Sequence, residues 1–310
     1  MVQKNSLDKV LIICGPTASS KSALAIECAK RLNSEIISAD SLYIYKKLNI
    51  GTAKPTSEEM EGIVHHLIDV VEPSESFSVG QYRELAEPIV KKLLKQGKIP
   101  IICGGTGFYI NSLIFDLSYG KVAADIKARE KYFELADKYG NAYVYSILRE
   151  KDPDSAKTIH QNDLKRVVRA LEICETDIKK SDIKDELKPK YDYKAFTVGY
   201  SRDVLYNRIN KRVDLMLDNG LIDEVSSLLD LRLTLDNQCM QGIGYKEVVS
   251  YLNNEITLEE LRELIKLNTR HYAKRQQTFF KKMKGLITLE PNNIDKMTEE
   301  ILKTLWLMLK

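Results

Sequence analysis

The sequence predicts an α/β protein: a parallel sheet in a three-layer phosphate-loop core, with an all-helical insertion and a helical carboxy-terminal region. Three observations carry that expectation. Apolar runs end in glycine-containing turns at Lys9–Gly15 and Ile99–Gly107. Strand-like and helical patterns alternate as far as residue 115, as a parallel sheet with crossover helices requires. A charged stretch without strand-like runs then fills 120–190, before Ala195-Phe-Thr-Val-Gly-Tyr200 returns the chain to the sheet. The division expected is therefore a core of 1–119 with 191–310, and an insertion of 120–190.

The first element sets the chemistry. Val10 to Cys14 are apolar, Gly15 turns the chain, and Ser20-Lys21-Ser22 follows four residues later. This is the G-x-x-x-x-G-K-[ST] arrangement with serine in place of the second glycine. Gly15, Pro16, Thr17, Ala18, Ser19, Ser20, Lys21 and Ser22 are the expected phosphate-binding residues. Their backbone N–H groups and the positive end of the next helix would face an anion, Lys21 would add charge, and the Ser22 hydroxyl would reach a metal ion. Glycine is used at position 20 because the backbone there can take a conformation unfavourable to a residue with Cβ. Ser20 is expected to be strained.

Next comes a helix to about Leu32, then a short strand in Glu35–Asp40. Asp40 stands at the carboxyl end of that strand, where open α/β sheets carry their chemistry. The turn-rich Ile50–Pro55 follows, and then His65-His66, whose side chains point to opposite faces of a strand. That makes a poor metal pair, with one structural and one solvated histidine expected. Residues 78–97 have helical periodicity, closed by Gly97. Gly104-Gly105-Thr106-Gly107 ends a third buried strand and offers a second anion-binding turn beside the first.

In the insertion, helices are expected at Ala128–Tyr139, Ala142–Glu150 and Leu164–Glu175, with a turn at Lys151–Ser155 and a solvated connector at Lys179–Lys194. The remainder reads as helical: Arg202–Gly220, Leu221–Leu231, Gly244–Leu252 and Thr257–Lys284. Within the last, Arg270–Lys284 holds six basic residues, several aromatics and no acid. Opposing acids would accompany a salt-bridged solvent face. Basic residues interleaved with aromatics are the footprint of nucleic-acid contact.

Composition narrows the class. Charged residues at 29% and a net charge of +3 fit an ordinary globular chain and carry no partner by themselves. Five scattered cysteines, none spaced as C-x-x-C, indicate neither a disulfide framework nor a zinc site. The amino terminus lacks a signal-peptide pattern and no apolar stretch reaches 18 residues, so the expected compartment is the cytoplasm, without a membrane partner.

Taken together the residues resemble the tRNA dimethylallyltransferase (isopentenyltransferase) family along nearly the whole chain. The resemblance rests on Gly15–Ser22, Asp40-Ser41, Ile50–Pro55, His65–Asp69, Gly104–Tyr109 and Asn162–Glu172. It continues through Arg208–Asp214, Gly220–Val225, Ile243–Glu247 and Thr269–Gln276, in order and with near-constant spacing. It implies transfer of a dimethylallyl group from dimethylallyl diphosphate to N6 of adenosine 37 in the tRNA anticodon loop, by a protein acting as a monomer with Mg²⁺. It also implies that the insertion closes over the anticodon loop.

By the same resemblance, Asp40 is the general base, and Thr106 and Arg270 stabilise the departing diphosphate with Lys21. The tRNA contacts it implies are Asp40, Ser41, Leu42, Tyr43, Thr106, Arg129, Lys165, Arg166, Val167, Val168 and Arg169, with Gly244, Tyr245, Lys246, Lys274, Arg275, Gln276 and Lys281. Departures from the family pattern are Ser20 for glycine, Tyr43 for glutamine, Lys47 for glycine and Phe279 for tryptophan. The phosphate loop alone also suits a small-molecule kinase, a prenyltransferase acting on AMP, or a tRNA-binding paralogue weakened at Ser20.

Overall fold

A strand as uniformly apolar as Val10–Cys14 needs cover on both faces, and β1 (Lys9–Cys14) lies inside the sheet. The computed structural model describes residues 8–117, 125–183 and 188–306. With β2 (Ile36–Ser38), β3 (His65–His66), β4 (Ile101–Gly104), β5 (Asp192–Val198) and β6 (Leu286–Leu289), the order is β3-β2-β4-β1-β5-β6. Every pairing is parallel. The α/β class expected from the sequence is the class observed.

The helices of this unit are α1 (Lys21–Leu32), α2 (Val79–Lys95) and α3 (Gly107–Ile114), then, after the insertion, α8 (Arg202–Asp218), α9 (Leu221–Asp230), α10 (Tyr245–Leu252), α11 (Leu258–Phe280) and α12 (Ile294–Trp306). Alternation along β1 sends Leu11 and Ile13 to one face. There they pack with Leu24, Ala25 and Cys28 of α1 and Met297, Ile301 and Leu305 of α12. Burying a side chain of this size contributes about 1.5–3 kcal/mol, so this layer fixes the start of α1 against the end of β1.

Chain contacts divide the molecule into Met1–Ile114 with Pro189–Lys310, and Phe115–Lys188. In the second unit α4 (Ile126–Tyr139), α5 (Asn141–Lys151), α6 (Pro153–Thr158) and α7 (Leu164–Cys174) enclose Tyr132, Ala136, Val144, Leu148, Val167, Val168 and Leu171. The buried Glu172 carboxylate takes Arg129 Nε at 2.8 Å, Arg169 at 2.7 Å and the Asp125 N–H at 2.7 Å.

Four expectations are corrected. The tail is not purely helical, because Leu286–Leu289 adds an edge strand beside β5. Lys151–Ser155 is not a simple turn: Asp152 caps α6 by accepting the Ser155 N–H, with Pro153 at the first helical position. Asp192–Lys194 belong to β5 instead of the connector. Both histidines are half-buried and bonded, His65 Nδ1 to Ile63 O at 2.9 Å and His66 Nε2 to Glu35 at 2.7 Å. Residues 118–124 and 184–187, where the expected domain edge and part of the connector fall, lie outside the described residues.

Candidate active site

The phosphate loop runs from the end of β1 into α1, and its backbone is as unusual as the motif demands. Gly15 has φ 146°, and a Cβ there would sit 2.7 Å from Thr197 Oγ1 of β5. Ala18 and Ser20 take φ of 61° and 63°. Ser20, the amino-terminal cap of α1, is thus a side-chain-bearing residue in the left-handed region, at about 1–2 kcal/mol of local cost.

Neighbours hold the loop. Ser19 Oγ and Lys21 Nζ both donate to Pro16 O, at 2.8 and 3.1 Å. From α8, Arg208 Nε donates to Ala18 O at 2.8 Å and its terminal nitrogen to Ser20 Oγ at 2.7 Å. Tyr200 lies 3.3 Å from the same hydroxyl, with the Arg208 guanidinium over its ring. One turn further along α8, Arg212 donates to Thr17 Oγ1 at 3.2 Å. From α11, the Gln276 amide accepts the Thr17 N–H at 2.9 Å and donates to Gly105 O at 3.0 Å.

Beyond the loop opens a cavity of about 360 Å³. Thr17, Lys21, Asp40, Tyr43, Arg212, Lys246, Tyr272 and Arg275 are among the residues that line it. Burial lowers the Lys21 pKa, with Arg212 adding repulsion and the Asp40 charge partly opposing it. Burial pushes the Tyr272 phenol up to about 12 and holds the Tyr43 phenol well above its usual range. Asp40 follows β2, and its Oδ1 accepts the Leu42 N–H at 3.0 Å. Thr106 Oγ1 accepts the Ser41 N–H at 3.0 Å and donates to Ser41 Oγ at 3.3 Å, tying the Gly-Gly-Thr turn to the Asp40 loop.

A separate support shapes the wall. The Glu224 carboxylate on α9 accepts the N–H groups of Asn49, Ile50 and Gly51 at 2.7–3.0 Å and the Tyr245 hydroxyl at 2.7 Å. Lys54 is likewise internal, donating to Tyr45 O and to Asp69 at 2.7 and 2.6 Å. The Ile50–Pro55 motif is therefore scaffold for Gly51, Thr52 and Tyr43, whose hydroxyl donates to Ala53 O at 2.7 Å.

The expected site residues do not all converge. Thr17, Lys21, Asp40, Ser41, Leu42, Tyr43, Lys246, Arg275 and Gln276 line the one cavity. Ser22 joins Lys21 and Asp40 around a smaller adjoining one. Arg270 is not among the lining residues, and its guanidinium donates to Asn210 of α8 at 2.9 Å. Val167, Val168 and Tyr245 have buried side chains and offer no surface to an RNA. Gln276 is 5% exposed and spent on backbone groups. On α7, Lys165 and Arg166 are exposed, and Arg129 and Arg169 are paired with Glu172. Lys274 and Lys281 are exposed on or just after α11. Arg208, Arg212, Tyr200, Tyr272 and Glu224 carried no expected site role, although all but Tyr200 lie in stretches that bear the family resemblance; the Arg208-x-x-x-Arg212 spacing, which puts both on one helix face, was the available signal.

Comparison with known proteins places this arrangement. The model of the IPP transferase family matches residues 43–283. The tRNA dimethylallyltransferase of Acetivibrio thermocellus is 46% identical over 303 residues, 96% of each chain. The full-length tRNA isopentenylpyrophosphate transferase of Bacillus halodurans superposes with a TM-score of 0.73 at 40% identity, covering 96% of this chain and 95% of that one. A eukaryotic dimethylallyltransferase caught acting on tRNA gives a TM-score of 0.80 at 31% identity, over 93% and 75% of the two chains.

Proposed function

The chain belongs to the IPP transferase family, and from that premise we propose that it transfers a dimethylallyl group from dimethylallyl diphosphate to N6 of adenosine 37 beside the anticodon of tRNA. The observation that carries this reading is the shared cavity: Thr17 and Lys21 of the phosphate loop face the same space as Asp40, Lys246 and Arg275.

The diphosphate lies on the phosphate loop. As the bond from the prenyl carbon to the diphosphate oxygen breaks, the electron pair leaves with the diphosphate. Lys21 and Arg212 stabilise that growing charge from fixed positions. The new carbon–nitrogen bond forms at the exocyclic amine, whose lone pair is delocalised into the ring. Asp40 accepts the amine proton and so restores its nucleophilicity. The base reaches the cavity only after leaving the anticodon stack. Exposed Lys274, Arg275 and Lys281 supply phosphate contacts to the RNA.

Mg²⁺ fits the donors present. Ser22 offers a hard hydroxyl oxygen beside the phosphate loop, and the ion is commonly held by few side chains plus substrate phosphates. Ser22 would hold it, and when bound it supplies charge neutralisation on the diphosphate. Action as a monomer is part of the same proposal. Among the described residues no helix is long and apolar enough to cross a membrane; the compartment we propose is the cytoplasm.

Incubation with labelled dimethylallyl diphosphate, separately with tRNA, AMP and buffer, tests the reading. Label is expected in tRNA alone and at adenosine 37. Label in AMP, or none in tRNA, would contradict it.

A further inference from the structure

Gln276 sits on the helix that bears the exposed basic residues, yet its side chain is turned inward. Its two hydrogen bonds cross 259 and 171 residues of sequence to reach the two turns that flank the site. The carbonyl oxygen holds the N–H of Thr17 in the phosphate loop, and the NH₂ group holds the carbonyl of Gly105 in the Gly-Gly-Thr turn. Both bonds are internal and directional, so together they set the distance between the turns. Gly105 makes room for this: a Cβ there would lie 2.2 Å from Gln276 Nε2. The second turn must therefore lack a side chain if the amide is to pass.

The strut also changes what the loop can offer a ligand. The Thr17 N–H points at Gln276 and is withdrawn from the set of amides free to meet an anion. Thr17 is pinned a second time through its hydroxyl by Arg212. A loop with one amide tied back and one hydroxyl anchored presents its remaining donors in a single arrangement, which is how preorganised sites gain affinity.

We propose that Gln276 is a positioning residue that locks the phosphate loop to the Gly-Gly-Thr turn in the donor-binding geometry, and that it makes no contact with RNA. This rests on the reading of the loop as the diphosphate site. Its neighbours Lys274 and Arg275 are exposed, so α11 presents its basic side chains on a different face from the strut.

The test uses the full chain, tRNA, and a dimethylallyl thiolodiphosphate probe whose leaving group is slow to depart. Gln276→Ala removes both bonds and should weaken probe binding roughly ten- to hundredfold, with tRNA affinity within about twofold of wild type. Gln276→Glu is the conservative variant. A neutral carboxyl accepts through its carbonyl and donates through its hydroxyl, so it can make both bonds, whereas the carboxylate cannot donate to Gly105. Relative to wild type at each pH, Gln276→Glu should therefore regain probe affinity as pH falls, while Gln276→Ala stays weak throughout. A purely structural loss would not be restored by protonation.

Gln276→Ala with wild-type probe affinity, or with lost tRNA affinity and intact probe binding, overturns the proposal. Wild-type protein that fails to bind the probe at all would instead overturn the diphosphate reading of the loop.

Discussion

The guanidinium of Arg208 donates to the hydroxyl of Ser20 at 2.7 Å while Ser20 holds a left-handed φ of 63°. Strain and anchor meet on one residue. The strain is the one expected when a loop glycine is replaced. The anchor was not expected, and it changes what substitutions there should do.

Ser20→Ala keeps the Cβ in the left-handed region and removes the anchor. Donor affinity should fall roughly three- to tenfold. Ser20→Gly removes both strain and anchor, leaves Arg208 its bond to Ala18 O, and should bind the donor at least as well as wild type. Titrated with saturating tRNA, Ser20→Gly should bind the donor most tightly, wild type next and Ser20→Ala least. Equal binding by wild type and Ser20→Ala would remove the anchor, and weaker binding by Ser20→Gly would remove the strain.

Two arginines are separated by where their charges go. Arg212 reaches Thr17 and lines the cavity, whereas Arg270 is engaged by Asn210. Arg212→Ala should raise the donor KM by roughly ten- to a hundredfold, and Arg270→Ala by much less. Steady-state kinetics with tRNA held saturating decides it. The reverse order would return the diphosphate role to Arg270.

The exposed cations at the end of α11 should act on RNA through charge alone. Replacing Lys274, Arg275, Lys281 and Lys282 with alanine should flatten the slope of log affinity against log salt by about 0.7–0.9 for each RNA phosphate no longer neutralised. Donor affinity measured without RNA should stay near wild type. An unchanged salt slope would make this an ordinary solvated face.

Much of this site was legible because its parts are local. The phosphate loop, Asp40 at a strand end and the Gly-Gly-Thr turn are each written within a few consecutive residues, with strand and helix around them. What escaped was what other segments contribute. Gln276 meets Thr17 and Arg208 meets Ala18 only after the sheet is assembled. Val167, Val168 and Tyr245 sit in basic or motif-rich stretches, and helical register alone turned them inward. The strand Leu286–Leu289 is only partly buried and lacks the uniformly apolar run into a glycine turn that announced β1 and β4. Lys151–Ser155 looked like a turn because Asp-Pro starts helices and turns alike.

Asp152 lends the second unit a pH-dependent support. Burial opposes its charge, but hydrogen bonds from Ser155 and Ser181 prevail and bring its pKa down to about 2. A depressed folded-state value means stabilisation that is present above the unfolded pKa and lost as pH falls through the folded one. The contribution is about 2 kcal/mol above roughly pH 5, declining toward pH 2. Urea unfolding of wild type and Asp152→Ala across that range should show a stability gap that closes on acidification. A gap independent of pH would assign the loss to packing.

The most direct test of the account falls on Asp40, which shares the cavity with the phosphate loop. In single-turnover reactions with saturating tRNA and dimethylallyl diphosphate, Asp40→Asn should transfer the prenyl group roughly 10²–10⁴-fold more slowly. Its affinities for tRNA and donor, measured separately, should remain close to wild type. A single-turnover rate near that of wild type would contradict the account and remove Asp40 from the chemistry.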